Sequence, residues 1–176
     1  YTHNDGLQNQ SIYYKAASLE APRQVLLNPN TLSKDGTVAL AGAVASKDGK
    51  LLAYGLADGG SDWRTWKVRD VASGKDLEDL VQWVKFSSIA WMPDASGFFY
   101  GRYAAPKEGQ ELTGTNENQR MYFHRIGDPQ SKDQLILERP DHPKWGFSPA
   151  VTDDGHYLII QNWKGSEPKS QRFMKD

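Results

Sequence analysis

Two short stretches come closest to the sequence of a catalytic serine. A nucleophile elbow holds its serine in Gly-x-Ser-x-Gly, a sharp turn that exposes the hydroxyl for attack on a carbonyl carbon. Residues 59–63 (GGSDW) and 146–150 (GFSPA) each have the first glycine but lack the second. The sequence therefore contains no nucleophile elbow, and an acyl-transfer site would have to be assembled from scattered residues.

The four histidines are spread along the chain and do not pair at metal-ligand spacing. We expect hydrogen-bonded or solvated structural roles for them, although a triad of distant serine, histidine and aspartate residues stays open. The acidic turn at 153–155 lacks the alternating carboxylates of an EF-hand loop, so a hairpin turn explains it better than calcium. No P-loop, dinucleotide fingerprint or zinc-protease motif is present, and we expect no cofactor and no metal. The histidines are His3, His124, His142 and His156.

The composition indicates a strand-rich chain without a nucleic-acid or membrane partner. The 176 residues include 21 basic and 22 acidic side chains, for a formal net charge of −1, so no positive surface excess is expected. No apolar run approaches the roughly 20 residues that cross a bilayer. The chain has no cysteine, which excludes disulfides and leaves the cytoplasm and the periplasm both open as its compartment.

Strand-like segments alternate with turn signals along the whole chain. Aspartate or serine followed by glycine separates many of them, because glycine accepts a positive φ and suits short hairpins. Aromatic and β-branched residues favour strands within the segments themselves. The predicted strands are 11–17, 24–28, 38–46, 51–57, 64–70, 87–91, 97–103, 120–126, 134–138, 150–152 and 157–162.

Segment 76–85 fits more than one structure. Leu77, Leu80, Val81 and Val84 follow the spacing i, i+3, i+4, i+7 that places apolar residues on one face of a helix. The alternative is an irregular link that leads into a strand at 84–87. The residues leave both alternatives open.

A pattern of strand, Asp-containing turn and strand occurs three times. Asp48 and Asp94 in these turns are 46 residues apart, which fits one four-stranded propeller blade of about 40–50 residues. The next interval, to Asp154, is 60 residues, and the polar segment 104–118 is expected to hold the excess as an extended loop. The repeats predict about three to three and a half blades, too few to close a ring, so a longer protein or an assembly is expected. The three copies are 43–54, 89–100 and 149–160.

Several stretches, taken in order, resemble the propeller of the prolyl oligopeptidase family, and the resemblance covers essentially the whole chain. It implies an all-β partial β-propeller, about three four-stranded antiparallel blades of a seven-bladed propeller, with residues 1–176 forming part of that domain. The family's α/β-hydrolase domain, whose Ser-Asp-His triad cleaves after proline in short peptides, would lie outside this chain, so we assign no catalytic residue. The stretches are 6–10, 27–40, 53–56, 60–63, 84–87, 90–91, 143–145 and 153–155.

The resemblance points to two residues that would face the substrate cavity. Asp62 resembles a position that pairs with an arginine of the hydrolase domain, and a carboxylate suits such a bidentate contact. A turn aspartate that caps local backbone is the alternative. Phe86 resembles an aromatic residue of the family's propeller that lines one substrate pocket, the pocket for the residue two before the scissile proline. The alternative is an aromatic core residue between blades.

Two further pocket positions depart from better-known family members. Gly146 stands where the family can carry a methionine, and Ser166 stands where it can carry a cysteine. If both line the pocket, it should be wider and less hydrophobic. The loop 104–118 resembles a mobile family loop near the domain interface, and we interpret it as a gate for substrate entry or as a solvated surface excursion.

The implied role is to cap the active site of a serine peptidase, select substrates by size and supply subsite walls. Its partners would be the α/β-hydrolase catalytic domain and short proline-containing peptides, with no nucleic acid and no membrane. One alternative is a stand-alone propeller binding module. The other is a related oligopeptidase that cuts after basic residues or a dipeptidyl peptidase, against which the stretches 6–10 and 60–63 argue.

Overall fold

The computed structural model describes residues 1–109, 111 and 114–176, so positions 110, 112 and 113 of the loop 104–118 lie outside the described residues. Over the described residues the chain forms thirteen β-strands, two 3-10 turns (Pro29–Thr31 and Gln130–Lys132) and no α-helix, which confirms the all-β class. No helix in this part of the chain is long and apolar enough to cross a membrane. The strands are β1 (Thr2–His3), β2 (Ile12–Lys15), β3 (Gln24–Leu27), β4 (Val38–Ala45), β5 (Leu51–Asp58), β6 (Arg64–Asp70), β7 (Asp76–Trp91), β8 (Gly97–Arg102), β9 (Arg120–Arg125), β10 (Gln134–Leu137), β11 (Gly146–Val151), β12 (Leu158–Trp163) and β13 (Gln171–Lys175).

Strand β7 joins two neighbouring blades. Its first half pairs with β6 and its second half with β8, and Val84 is the residue that pairs with both, opposite Arg64 and Arg102. In the described part of the chain this gives two antiparallel four-stranded blades. The first blade consists of β4, β5, β6 and the start of β7, and the second of the end of β7, β8, β9 and β10. Two three-stranded sheets, β1–β2–β3 and β11–β12–β13, flank them.

The predicted repeat matches the blades. The turns at Asp48, Asp94 and Asp154 join the first and second strands of three successive sheets. Each aspartate accepts a hydrogen bond from the backbone N–H two residues later, at 3.0 to 3.1 Å. Hydrogen bonds from the hydroxyls of Ser46, Ser96 and Thr152, together with these backbone hydrogen bonds, lower the pKa of the three carboxyl groups. The local chemistry of an Asx turn therefore explains these acidic positions.

Segment 76–85 is a strand, so the helix, one of the two alternatives left open by the sequence, is wrong. Val81 lies opposite Trp66 and Leu80 lies opposite Lys67 in the ladder with β6. Val81 is buried whereas Leu80 is 41% exposed, which is the alternation of a strand and not one face of a helix. The other alternative, an irregular link before a strand at 84–87, is also wrong, because the strand already begins at Asp76. Pairing with β6 overrides the local helical spacing.

The core lies between the blades and is built around large aromatic residues. Trp66 is 1% exposed, and its ring packs directly on Gly55, where an added Cβ would come within 2.8 Å of the ring. Trp91 crosses to the neighbouring blade, where its indole N–H donates to the carbonyl of Val44 at 2.9 Å. These contacts fix the relative positions of the inner strands that carry the candidate site.

Candidate functional site

One end of the blades gathers the residues that the sequence singled out. Asp62 follows β5, Phe86 lies in the bend of β7, and Ser166 follows β12. Antiparallel pairing places these three points at the end opposite the Asp-containing turns. The topology therefore brings together residues that are up to 104 positions apart in the sequence.

A groove with a volume of about 640 Å³ runs across this end. Phe86 and Trp163 form an aromatic pair in it, with ring centroids 5.9 Å apart and planes at 86°. Such edge-to-face geometry is favourable for aromatic rings. The described residues that line the groove are Phe86, Tyr103, Gly114, Thr115, Asn116, Glu117, Lys144, Trp163, Lys164, Gly165, Ser166 and Glu167.

Phe86 adopts an uncommon backbone conformation. Its φ is +56°, in the left-handed region that bulky residues rarely occupy, and its side chain is 42% exposed. The neighbouring backbone is held on both sides. Gln119 donates to the carbonyl of Lys85 at 2.8 Å, and the Ser87 hydroxyl accepts from the Gly101 N–H at 3.0 Å. The surrounding structure thus holds an apolar ring in the groove and out of the core, at a cost in backbone strain.

Asp62 lies in the turn between β5 and β6 with its side chain 65% exposed. Its carboxylate is 3.8 Å from the ammonium group of Lys85, a long ion pair for two charged groups. The preceding Ser61 hydroxyl accepts from the Trp63 N–H at 3.1 Å, so the serine of the stretch 59–63 has a local turn role. The acidic side chain is therefore presented to solvent beside the groove.

Gly146 is not a wall of the groove. It is buried, and an added Cβ would meet the ring of Trp163 at 2.1 Å. Trp163 thus fills the space that a side chain at position 146 would take. Ser166, in contrast, is exposed and lines the groove.

The described part of loop 104–118 contacts the aromatic residues beside the groove. The indole N–H of Trp63 donates to the carbonyl of Glu111 at 2.6 Å. Trp63 also packs edge-on against Trp83 and Tyr103, each with ring centroids 5.9 Å away. The loop is therefore anchored to the first blade at Glu111.

A separate polar cluster lies inside the blades, centred on His124. Its Nδ1 is 2.7 Å from a carboxylate oxygen of Asp133 and its Nε2 is 3.0 Å from one of Asp79, and the ring is fully buried. Tyr100 donates to the second oxygen of Asp133 at 2.5 Å, and the Gly127 N–H donates to Asp79 at 2.7 Å. Both ring nitrogens therefore face acceptors, which is the arrangement of an imidazolium.

The carboxylates set the charge of this cluster. Burial acts to lower the pKa of His124, but its hydrogen bonds to Asp133 and Asp79 outweigh burial and raise the pKa to about 9. For Asp79, burial acts to raise the pKa, but the hydrogen bonds from His124 and Gly127 outweigh burial and lower the pKa. The structural role expected for this histidine agrees with its complete burial, and among the described residues no group of His, Asp and Glu could hold a metal ion.

The whole chain, residues 1–176, matches the family model for the prolyl oligopeptidase N-terminal beta-propeller domain. The chain belongs to the prolyl oligopeptidase family. The predicted resemblance and the propeller fragment are confirmed by this match.

Similar proteins support the same family. The chain is 40% identical over 160 residues to a prolyl endopeptidase of Elizabethkingia meningoseptica, covering 91% of this chain and 22% of that protein. It is 38% identical over 189 residues to prolyl oligopeptidase A of Galerina marginata, covering 93% of this chain and 26% of that protein. The chain therefore spans about a quarter of the length of these relatives.

Solved structures agree with the fold. A structure from an analysis of two prolyl endopeptidases and their inter-domain dynamics has a TM-score of 0.86 and 41% identity, covering 99% of this chain and 24% of that one. The structure of prolyl oligopeptidase B from Galerina marginata, bound to a 35mer hydrolysis and macrocyclization substrate, has a TM-score of 0.89 and 30% identity. The match covers 98% of this chain and 26% of that one.

Several groove residues could not be singled out from the sequence. Trp163, Tyr103 and Lys144 line the groove, and Lys85 lies behind it. Lys85 stands within one of the stretches that carried the family resemblance (84–87), whereas Trp163 lies outside all of them. Their adjacency to Phe86 depends on the pairing of β11 with β12 and on the bend of β7, which the sequence pattern does not specify.

Proposed function

We propose that this chain is the N-terminal part of the propeller of a prolyl oligopeptidase-type serine peptidase. In that enzyme it would cap an active site on an α/β-hydrolase domain and restrict entry to short peptides. Membership of the family and the quarter of the relatives' length that the chain spans support this proposal. The reaction would be acyl transfer from a peptide to a serine, followed by hydrolysis, by residues outside this chain.

The aromatic pair in the groove carries the proposal. Phe86 is held exposed in a strained backbone conformation, and Trp163 meets it edge-on at 5.9 Å. A folded chain gains nothing from exposing an apolar ring at such a cost, whereas a peptide side chain packed on that ring would gain apolar contact. We assign Phe86 and Trp163 to the pocket for the residue two before the scissile proline.

Asp62 is proposed to contact an arginine of the hydrolase domain. Its side chain is 65% exposed, and its ion pair with Lys85 is long at 3.8 Å. Both carboxylate oxygens could therefore accept from a guanidinium group in a bidentate pair. Ser166 would add a polar element to the wall, and the loop 104–118 would act as the gate for substrate entry.

Hydrolysis of a Gly-Pro chromogenic anilide tests the assignment. The 176-residue chain and the full-length protein that contains it are assayed side by side. We expect turnover by the full-length protein and none by the chain alone. Turnover by neither would contradict the prolyl-specific assignment and favour a binding module or a related peptidase.

Two substitutions in the full-length protein test the groove. Phe86→Ala should lower kcat/KM about tenfold for peptides with an apolar residue two before proline, because about 1.4 kcal/mol of contact is lost. The matched control is Tyr157→Ala, since Tyr157 is similarly exposed (39%) but lies at the other end of the blade. Asp62→Ala should also lower kcat/KM. Equal effects of Phe86→Ala and Tyr157→Ala would refute the pocket.

A further inference from the structure

Lys85 is unusually enclosed for a lysine. Its side chain is only 12% exposed, although the residue lies at the edge of the groove. The ammonium nitrogen is 4.9 Å from the ring centroid of Trp63 and 5.2 Å from that of Phe86. The third neighbour is the carboxylate of Asp62 at 3.8 Å. One cation therefore contacts both residues assigned to the substrate side and the aromatic anchor of the loop.

We infer that Lys85 is a positioning residue that sets where the Phe86 ring stands in the groove. This inference rests on the proposed function, since it concerns the same pocket. An ammonium group is attracted to the faces of aromatic rings, and the attraction grows when the cation loses water, as it does here. By attracting Trp63 and Phe86 from one point, Lys85 fixes the distance between them.

Hydrogen bonds hold the residues around the lysine in place and support this role. The Gln119 side chain is buried, and its amide NH2 donates to the backbone carbonyl of Lys85 at 2.8 Å. The amide oxygen of the same side chain accepts from the Phe147 N–H in the third sheet. Trp63, on the other side, is held by its hydrogen bond to Glu111. Lys85 thus joins Asp62, Trp63 and Phe86 through its side chain, and its backbone carbonyl is tied through Gln119 to the third sheet.

The consequence is a specificity effect that depends on the length of the substrate. Only a peptide with a residue two before the proline would reach Phe86. A Gly-Pro anilide ends before that pocket, whereas a Phe-Gly-Pro anilide fills it. The ratio of kcat/KM for the longer to the shorter anilide therefore measures the pocket and cancels general losses of activity.

The experiment uses the full-length protein with Lys85→Met, which keeps the chain length and removes the charge. We expect this ratio to fall about fivefold. Lys85→Arg should restore at least half of the loss, because a guanidinium also packs on aromatic rings. In a Phe86→Ala background, Lys85→Met should change the ratio less than twofold. Lys50→Met, which removes a lysine from an exposed pair with Asp48, is the matched control.

Each outcome is decisive. If Phe86→Ala lowers the ratio and Lys85→Met does not, the Lys85 inference is overturned and the proposed pocket stands. If Phe86→Ala itself leaves the ratio unchanged, the pocket assignment fails and the Lys85 inference fails with it. A loss that arginine does not restore and that persists in the Phe86→Ala background would show a merely structural lysine. Should Lys85→Met fail to fold, Lys85→Gln replaces it in the same cycle.

Discussion

Strand β7 carries two polar regions with opposite character. Its first half contributes Asp79 to the cluster around His124, where the side chains are buried and every carboxylate has close partners at 2.5 to 3.0 Å. Its bend contributes Lys85 and Phe86 to the groove rim, which we define as Asp62, Lys85, Phe86 and Trp163. There the ion pair is 3.8 Å long and the phenyl ring is exposed.

The difference shows where this chain has completed its own interactions. Buried charges are costly unless they are paired, and the His124 cluster satisfies them within the two blades. The groove rim leaves an acidic side chain and a phenyl ring partly exposed and accepts backbone strain at Phe86 to do so. We expect the first region to govern stability and the second to govern recognition, and the following predictions test that division.

The largest effect is expected from His124→Gln. The substitution leaves two buried carboxylates without their cation, which should lower the free energy of unfolding by about 3 kcal/mol or more. Urea denaturation of the full-length protein measures it. His3→Gln, at an exposed histidine, is the control and should cost less than about 0.5 kcal/mol. Similar losses in the two variants would remove the distinction between the regions.

The second effect is a loss of stability at high pH. The folded-state pKa of His124, about 9, lies above its ordinary value of 6.5, so the folded state holds this proton more tightly than the unfolded state. The stabilisation is complete below pH 6.5 and is lost as the pH rises through about 9, and it amounts to roughly 3 kcal/mol. Unfolding curves between pH 6 and 10 test this. In His124→Gln the free energy of unfolding should change less over the same pH interval. An equally steep interval in that variant would assign the effect to another group.

A smaller effect is expected at Gly146, which packs against Trp163 of the groove rim. In Gly146→Ala the new methyl group would overlap the Trp163 ring, so we expect a loss of about 1 to 2 kcal/mol and displacement of that ring from Phe86. A crystal structure and urea denaturation check the two parts. Adding Trp163→Phe should recover part of the stability, because a smaller ring leaves room for the methyl group. No recovery would mean that the overlap is relieved by the backbone.

The smallest effect on stability is expected from Asp62→Asn. A long, exposed ion pair contributes little, so the free energy of unfolding should change by less than about 0.5 kcal/mol. Asp133→Asn is the matched comparison, since the same change at a buried carboxylate should cost several times more. If both cost the same, the groove rim is as tightly partnered as the buried cluster.

The strands and turns with local signals could be predicted from the sequence. Strands β4, β5 and β6 were predicted to within one residue at either end, and the Asp-containing turns were located correctly. Strands β1 and β13 were missed, and β11 begins four residues before its prediction, at Gly146. The missed strands are held by pairing with β2 and β12 and have little apolar alternation of their own.

By itself, the sequence determined the class of fold, the blade repeat and the family, because turn chemistry and motif order are properties of neighbouring residues. The tertiary structure alone decided that 76–85 is a strand, that Trp163 covers Gly146, and that His124 lies between two carboxylates. Each of these depends on partners that are not neighbours in the sequence, and Asp79 and His124 are 45 residues apart. Such contacts form only when the blades pack, and no local pattern records them.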